Sequence, residues 1–273
     1  MHRHTHNALA YYTFDAFNVK HGMFTRLGGV SEGMWSSLNL SRSTGDTQNA
    51  VVENRNRMMA AMGTQRWLTS WLVHGNHVRV VDQADLGHDD VHADAMITRA
   101  RGMALTLRFA DCVPVLFHDK RRDVIGAAHA GWKGIVNGVL PATVRAMQSA
   151  FGCDPADIVA GVGPCIGPVK FEVGHDVAAE IQAAVGERVV IEGAENGEGA
   201  ERSAPSAPSP LSAPSPKPHI NLWLAAQSQL HHAGVGEIEV ARICTASNTH
   251  EWFSHREEKG KTGRFGVLIE LDE

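Results

Sequence analysis

The sequence predicts a mixed architecture, α/β or α+β, with strands and helices alternating around a sizeable core. Three observations carry that prediction. Short apolar or alternating runs of strand character recur between segments with helical spacing. A chain of 273 residues, 43% of them hydrophobic, can bury one large core or two small ones. The one sharp break in composition, at about 193–218, reads as an insertion, because the 55 residues after it are too few to fold alone. That stretch holds six of the eleven prolines in a Ser-Ala-Pro pattern and reads as a disordered or polyproline-like loop.

The elements follow in order. His2, His4 and His6 alternate in a polar terminus, and residues 1–10 are expected to be a disordered, His-rich tail that captures only stray metal. Val51 through Met62 has helical spacing, a start signal at Gly45-Asp46-Thr47 and a stop at Gly63. Leu105–Phe109 and Val113–Phe117 read as strands on either side of Cys112, and Val124–Ala128 as a further strand ahead of His129. Ile135 through Phe151 reads as one helix despite Pro141. Ile158–Val162 is a strand running into the turn Gly163–Pro168. Asp176–Val185 and Leu222–Ala233 are helical, with His231 and His232 on a solvated face. Ile238–Cys244 and Phe265–Leu271 complete the set as strands.

Composition also excludes. A net charge of −5 argues against non-specific binding to nucleic acid. No run reaches the roughly 18 apolar residues that suggest a membrane span, and the polar N-terminus has no export signal. Four scattered cysteines (Cys112, Cys153, Cys165, Cys244) fit reduced thiols better than a disulfide framework, so a soluble cytoplasmic protein is expected. No protein partner is evident.

The chemistry concentrates in Phe109-Ala110-Asp111-Cys112-Val113-Pro114 and, 17 residues after the cysteine, His129-Ala130-Gly131-Trp132. Two strands joined by the charged turn Asp119–Asp123 would bring this thiol and imidazole together, as a metal site or a Cys–His catalytic pair requires. A cysteine in a strand is commonly just a small core residue. Asp111, however, is costly to bury beside it without a partner. His74, at the end of Leu72-Val73 and ahead of Gly75, is a third candidate. Two His and one Cys with an open fourth position make a catalytic zinc arrangement that also suits copper. Arg26, Arg256 and Arg264 lie in Gly/Ser/Thr-rich turns, where a guanidinium is suited to gripping phosphate or carboxylate.

Ten segments resemble the laccase-domain (YfiH-like) family. They are Thr25–Ser31, Ser37–Leu40, Gly45-Asp46, Ala110–Val115, Ala128–Trp132, Gly163–Gly167, Phe171–Gly174, Cys244-Thr245, Phe253–Arg256 and Thr262–Arg264, and they stand in the family's order. The resemblance spans nearly the whole chain outside the N-terminus and the Ser/Pro tract. It implies a single α+β domain over residues 11–273, with mixed sheets packed between helices in α/β/β/α-like layers. It also implies zinc held by His74, Cys112 and His129, although the family's usual glutamine–valine before the first ligand is here Trp71-Leu72-Val73.

The implied activity is a purine nucleoside phosphorylase with adenosine deaminase and methylthioadenosine phosphorylase activities, using nucleosides and phosphate. Zinc with an open position lowers the pKa of bound water to about 7, which suits attack at C6 of adenine. Cys112, His129 and Arg26 are the expected catalytic residues. Asn39, Glu172, Arg256 and Arg264 are expected to contact ribose, base or phosphate. Three alternatives stay open: a copper polyphenol oxidase, a metal-free Cys–His hydrolase or deamidase, and a role in cell-envelope quality control. The oxidase is the weakest chemically, since multicopper sites need several coppers and paired His-x-His ligands, a spacing found here only in the terminal tract.

Overall fold

The computed structural model describes residues 1–191 and 216–273, so most of the Ser/Pro tract lies outside the described residues. In chain order the elements are β1 (His2–His6), β2 (Leu9–Thr13), β3 (Lys20–Phe24), α1 (Gln48–Met62), β4 (Trp67–Leu68) and β5 (Val78–Val80). β6 (Ala95–Thr98), β7 (Ala104–Phe109), β8 (Val113–Asp119), β9 (Val124–Ala130), α2 (Trp132–Val136) and α3 (Val139–Phe151) follow. The remainder are β10 (Ile158–Val162), α4 (His175–Val185), β11 (Val190–Ile191), β12 (His219–Ile220), α5 (Leu222–His232), β13 (Glu237–Val240) and β14 (Phe265–Glu270).

Two six-stranded mixed sheets stack face to face, with strand orders β1-β2-β3-β14-β7-β4 and β13-β10-β8-β9-β6-β5. Leu105, Leu107, Phe109 and Val267 of the first sheet meet Leu116, Ile125 and Ala127 of the second in the core between them. α1 covers the outer face of the first sheet through Met58 and Met59. α3 and α5 cover the second through Val144, Met147, Ala226 and Leu230. The layers are therefore α/β/β/α in an α+β fold. β8 and β9 are buried along their whole length, apolar on both faces because one side meets the other sheet and the other meets helices.

Three expectations change in detail. The first ten residues are not a loose tail: β1 pairs antiparallel with β2, His4 donates to or accepts from Thr13 and stacks on Tyr11. The period of two that aligned the histidines is the period of a strand, and β2 supplies the partner. The helix expected over Ile135–Phe151 is two helices, because Gly138 takes a left-handed φ of +71° between them. Pro141 then falls in the first turn of α3, where its missing N–H has no intrahelical acceptor to lose. The strand expected to reach Cys244 ends at Val240, ahead of Arg242 at φ +52°.

His118 on β8 is 2% exposed, and neither ring nitrogen has a hydrogen-bond partner. Burial, reinforced by Lys120, pushes its pKa down to about 4. A histidine depressed in the folded state stabilises the fold above its unfolded pKa of about 6.5 and ceases to do so as pH falls toward 4. Urea unfolding at pH 7 and pH 4.5 should show this loss, on the order of 3 kcal/mol for this one group. His118→Phe, which keeps the ring against Phe17, should flatten that part of the pH dependence. An equal pH slope in the variant would count against the assignment.

Candidate functional site

The β8–β9 hairpin is the frame. Its register sets Val113 opposite Ala130 and Pro114 opposite His129, so Cys112, one residue before β8, meets the end of β9. The turn is fixed by Asp119, whose carboxylate accepts the backbone N–H groups of Arg121 and Arg122. His74 comes from the loop between β4 and β5, with its ring edge-on to His129 at 4.9 Å. The donor atoms of His74, Cys112 and His129 lie within 4.8 Å of one another. Tetrahedral zinc places its ligand atoms roughly 3.5 Å apart, so a small inward movement of side chains would complete the site.

Asp94, which the sequence did not single out, holds this arrangement together. It is 0% exposed. Oδ1 accepts the backbone N–H of His74 at 2.9 Å and pairs with Nδ1 of His129 at 2.9 Å. Oδ2 accepts the N–H groups of Val73 and Gly75 at 3.2 and 2.7 Å. With Nδ1 so engaged, Nε2 of His129 is left for a metal, as in carboxylate–histidine–zinc triads. His74 itself sits at a left-handed φ of +61°, which the Asp94 cage sustains. A Cβ on Gly131 would lie 3.0 Å from both Cys112 Sγ and His74 Cδ2 and would press on both side chains, so the glycine keeps this backbone clear of them. Sulfur and imidazole donors, an outer carboxylate and backbone cleared from the centre all fit a bound divalent metal.

The electrostatics agree. Burial pushes the Cys112 thiol up, but the neighbouring His129 charge and hydrogen bonds from both histidines outweigh it and bring the thiol down. Burial pushes His129 down, and the Cys112 thiolate together with Asp94 raises it. The pair therefore favours the thiolate, the form that binds metal. Asp111 has found the partners its burial demands: its carboxylate accepts from Thr245 Oγ1 and from the N–H of Arg256, both at 2.6 Å. Its backbone is left-handed, at φ +83°.

A cavity of about 520 Å³ opens on the three ligands, with Trp71, Trp132 and Phe171 among its apolar walls. Arg256 and Arg264, two of the arginines singled out in the sequence, line it, and so do Arg108, Ser41 and Ser43, which were not singled out. Three expected residues lie elsewhere. Arg26 is spent on the protein, donating to Ser36 O, Thr249 O and Glu258 while stacking over Phe253 at 4.3 Å. Asn39 is fully buried and staples its loop: its amide donates to Ser41 O, Thr44 and Asp46 and accepts from Ser41 and Arg264 N–H groups. Glu172 is paired with Lys217 at 3.0 Å on the surface, which lowers its pKa. None of the three is a cavity-lining residue.

Residues 20–272 match the family described as multi-copper polyphenol oxidoreductase laccase. The chain belongs to this family. Members of this laccase-domain (YfiH-like) family similar to it include a purine nucleoside phosphorylase of Streptomyces coelicolor, 37% identical over 262 residues, covering 94% of this chain and 98% of that one. Purine nucleoside phosphorylase YfiH of Escherichia coli is 34% identical over 249 residues, covering 90% and 91%. Among solved structures, YlmD from Geobacillus stearothermophilus matches with a TM-score of 0.84 and 30% identity, over 99% of this chain and 98% of that one. No described helix is long and apolar enough to cross a membrane, and all four cysteines are free.

Proposed function

We propose that this laccase-domain protein is a zinc-dependent purine nucleoside phosphorylase that takes inosine, guanosine, adenosine and methylthioadenosine, and also deaminates adenosine. The observation that carries the reading is one cavity joining a His-Cys-His ligand group, aromatic walls and guanidinium groups. The relatives named as purine nucleoside phosphorylases support it. In phosphorolysis a phosphate oxygen bonds C1′ as the C1′–N9 bond breaks, and the purine leaves with the electron pair and takes up a proton. Trp71, Trp132 and Phe171 offer faces for a purine, each stacking contact worth about 1–3 kcal/mol. Arg256 and Arg264 bring positive charge to the same space, where phosphate must be held. Zinc on His74, Cys112 and His129 would supply Lewis-acid chemistry and acidify water. Its place of action is taken to be the cytoplasm, where free thiols persist.

Liquid chromatography of reaction mixtures tests this. Inosine should give hypoxanthine only when phosphate is present, whereas adenosine should give inosine without it. Chelation should suppress deamination. A zinc-loaded protein that releases no base and forms no inosine would refute the proposal. The second reading is a Cys–His hydrolase, favoured by the lowered thiol pKa of Cys112 beside His129. A copper oxidase is less supported, because among the described residues there is one His/Cys ligand group and oxygen reduction needs further electron storage.

A further inference from the structure

The register of β7 and β14 puts Phe265 opposite Phe109 and Gly266 opposite Arg108. Phe109 and Phe265 stack at 5.8 Å in the core between the sheets. By alternation Arg108 and Arg264, the residue before β14, project from the other face. The loop after Leu38 is tied to that same face, since Leu40 N–H donates to Arg264 O and Arg264 N–H donates to Asn39. A Cβ on Gly266 would come within 2.4 Å of Leu40, so the glycine permits the loop to lie this close. The loop thereby brings Ser41 and Ser43 to the cavity, with their hydroxyls 3.0 Å apart.

The guanidiniums on this face lack a carboxylate in contact among the described residues. Arg108 donates to Thr69 Oγ1 and Ser70 O, and Arg264 to Thr262 O and Gly263 O, all of them neutral acceptors. Among the described residues neither guanidinium has a carboxylate within 4.0 Å, in contrast to Arg26 and Arg79, which are ion-paired. Arg55 adds a further cation behind Arg108, donating to Leu40 O and lying over Trp67 at 5.2 Å. Burial drives Arg108 down to about 10, with Arg42 adding to the effect; Asp89 opposes it from beyond contact. Burial likewise lowers the pKa of Arg264, against the pull of Cys112, Asp111 and Glu258 from beyond contact; partly buried cations without a counter-charge in contact are costly. An incoming anion removes that cost.

We propose that Arg108 and Arg264, with the hydroxyls of Ser41 and Ser43, form the oxyanion site that holds the phosphate co-substrate. Two guanidiniums supply charge and forked donors to a dianion, and the hydroxyls cap its remaining oxygens. Arg256 is set apart from this cluster: it donates to Lys170 O and Glu172 O and lies over Phe171 at 5.4 Å. The word co-substrate rests on the phosphorylase reading; the anion site does not.

The test is a calorimetric titration of inorganic phosphate into the metal-loaded protein, with adenosine and adenosine 5′-monophosphate as separate arms. Phosphate should bind the wild type, and Arg108→Gln should weaken it at least tenfold with metal content intact. Ser43→Ala, at an exposed position that the fold tolerates, should weaken it about threefold. In phosphorolysis the same variants should raise KM for phosphate more than KM for inosine. Phosphate binding unchanged in both variants, or absent from the wild type, would overturn the site. Adenosine 5′-monophosphate binding far more tightly than adenosine, with the gain lost in Arg108→Gln, would overturn the co-substrate assignment in favour of a nucleotide phosphate. Binding as expected but no turnover of any nucleoside would defeat the phosphorylase reading alone.

Discussion

Cys112→Ala should lose metal binding and lower nucleoside turnover by roughly a thousandfold or more, while staying folded. A three-ligand site deprived of its thiolate keeps two imidazoles and no anionic donor, and affinity falls steeply. The structural cost is small by comparison. Removing one sulfur from a half-buried position beside Gly131 leaves a void open to the cavity, and costs about 1 kcal/mol. Elemental analysis after gel filtration, circular dichroism and the inosine assay together check the expectation. A variant that retains full metal but no activity would move the assignment to Cys112 as a nucleophile with His129 as its base. A variant with both intact would remove this centre from the reaction altogether.

Asp94→Asn is the second substitution with a large expected effect, although it changes one atom and touches no substrate. Each carboxylate oxygen serves two donors: Oδ1 takes His74 N–H and His129 Nδ1, and Oδ2 takes Val73 and Gly75 N–H. Whichever way the amide of asparagine turns, its NH2 faces two donors in a site closed to water. Each donor left without a partner costs about 1–3 kcal/mol. Metal affinity should drop about 10- to 100-fold, as for other carboxylates that orient a metal-binding histidine. Urea unfolding in the presence of chelator should show a loss of stability of about 2–4 kcal/mol, twice the low end of that range upward. Competition titration against a zinc dye reads the first effect. Wild-type behaviour in both measurements would mean that Asp94 is a passive core residue.

Much of the ligand group was legible because its grammar is local. Cys112 and His129 flank two apolar runs joined by a charged turn, and antiparallel pairing then closes the distance. Asp94 was not, since nothing near Asp89, Asp90 and Asp94 marks which of the three is buried; only the fold brings it to residues 20 and 35 positions away. Arg108 lies with Thr106 among the polar positions of a strand run and was not singled out, and its cavity face depends on the distant β14. Asn39 illustrates the converse. An amide in a tight polar loop can meet a ligand or staple the loop, and its sequence neighbours are the same in both cases. The α+β layering followed from alternating elements and the family resemblance, whereas the six-strand orders rest on contacts between distant segments such as β3 with β14.

Asp111 joins what would otherwise be two separate ends of the cavity. It precedes the ligand Cys112 directly, and its carboxylate also fixes Thr245 and the backbone of Arg256, more than a hundred residues away. Its left-handed backbone ties the direction in which the thiol points to the position of that distant loop. Under the proposed function, metal and nucleoside are therefore expected to bind as linked ligands rather than independent ones. Whatever factor the ion adds to the affinity for nucleoside, the nucleoside must add to the affinity for the ion. Where that factor is favourable, substrate and ion are expected to hold one another in place, and the ion to leave more readily from the empty cavity.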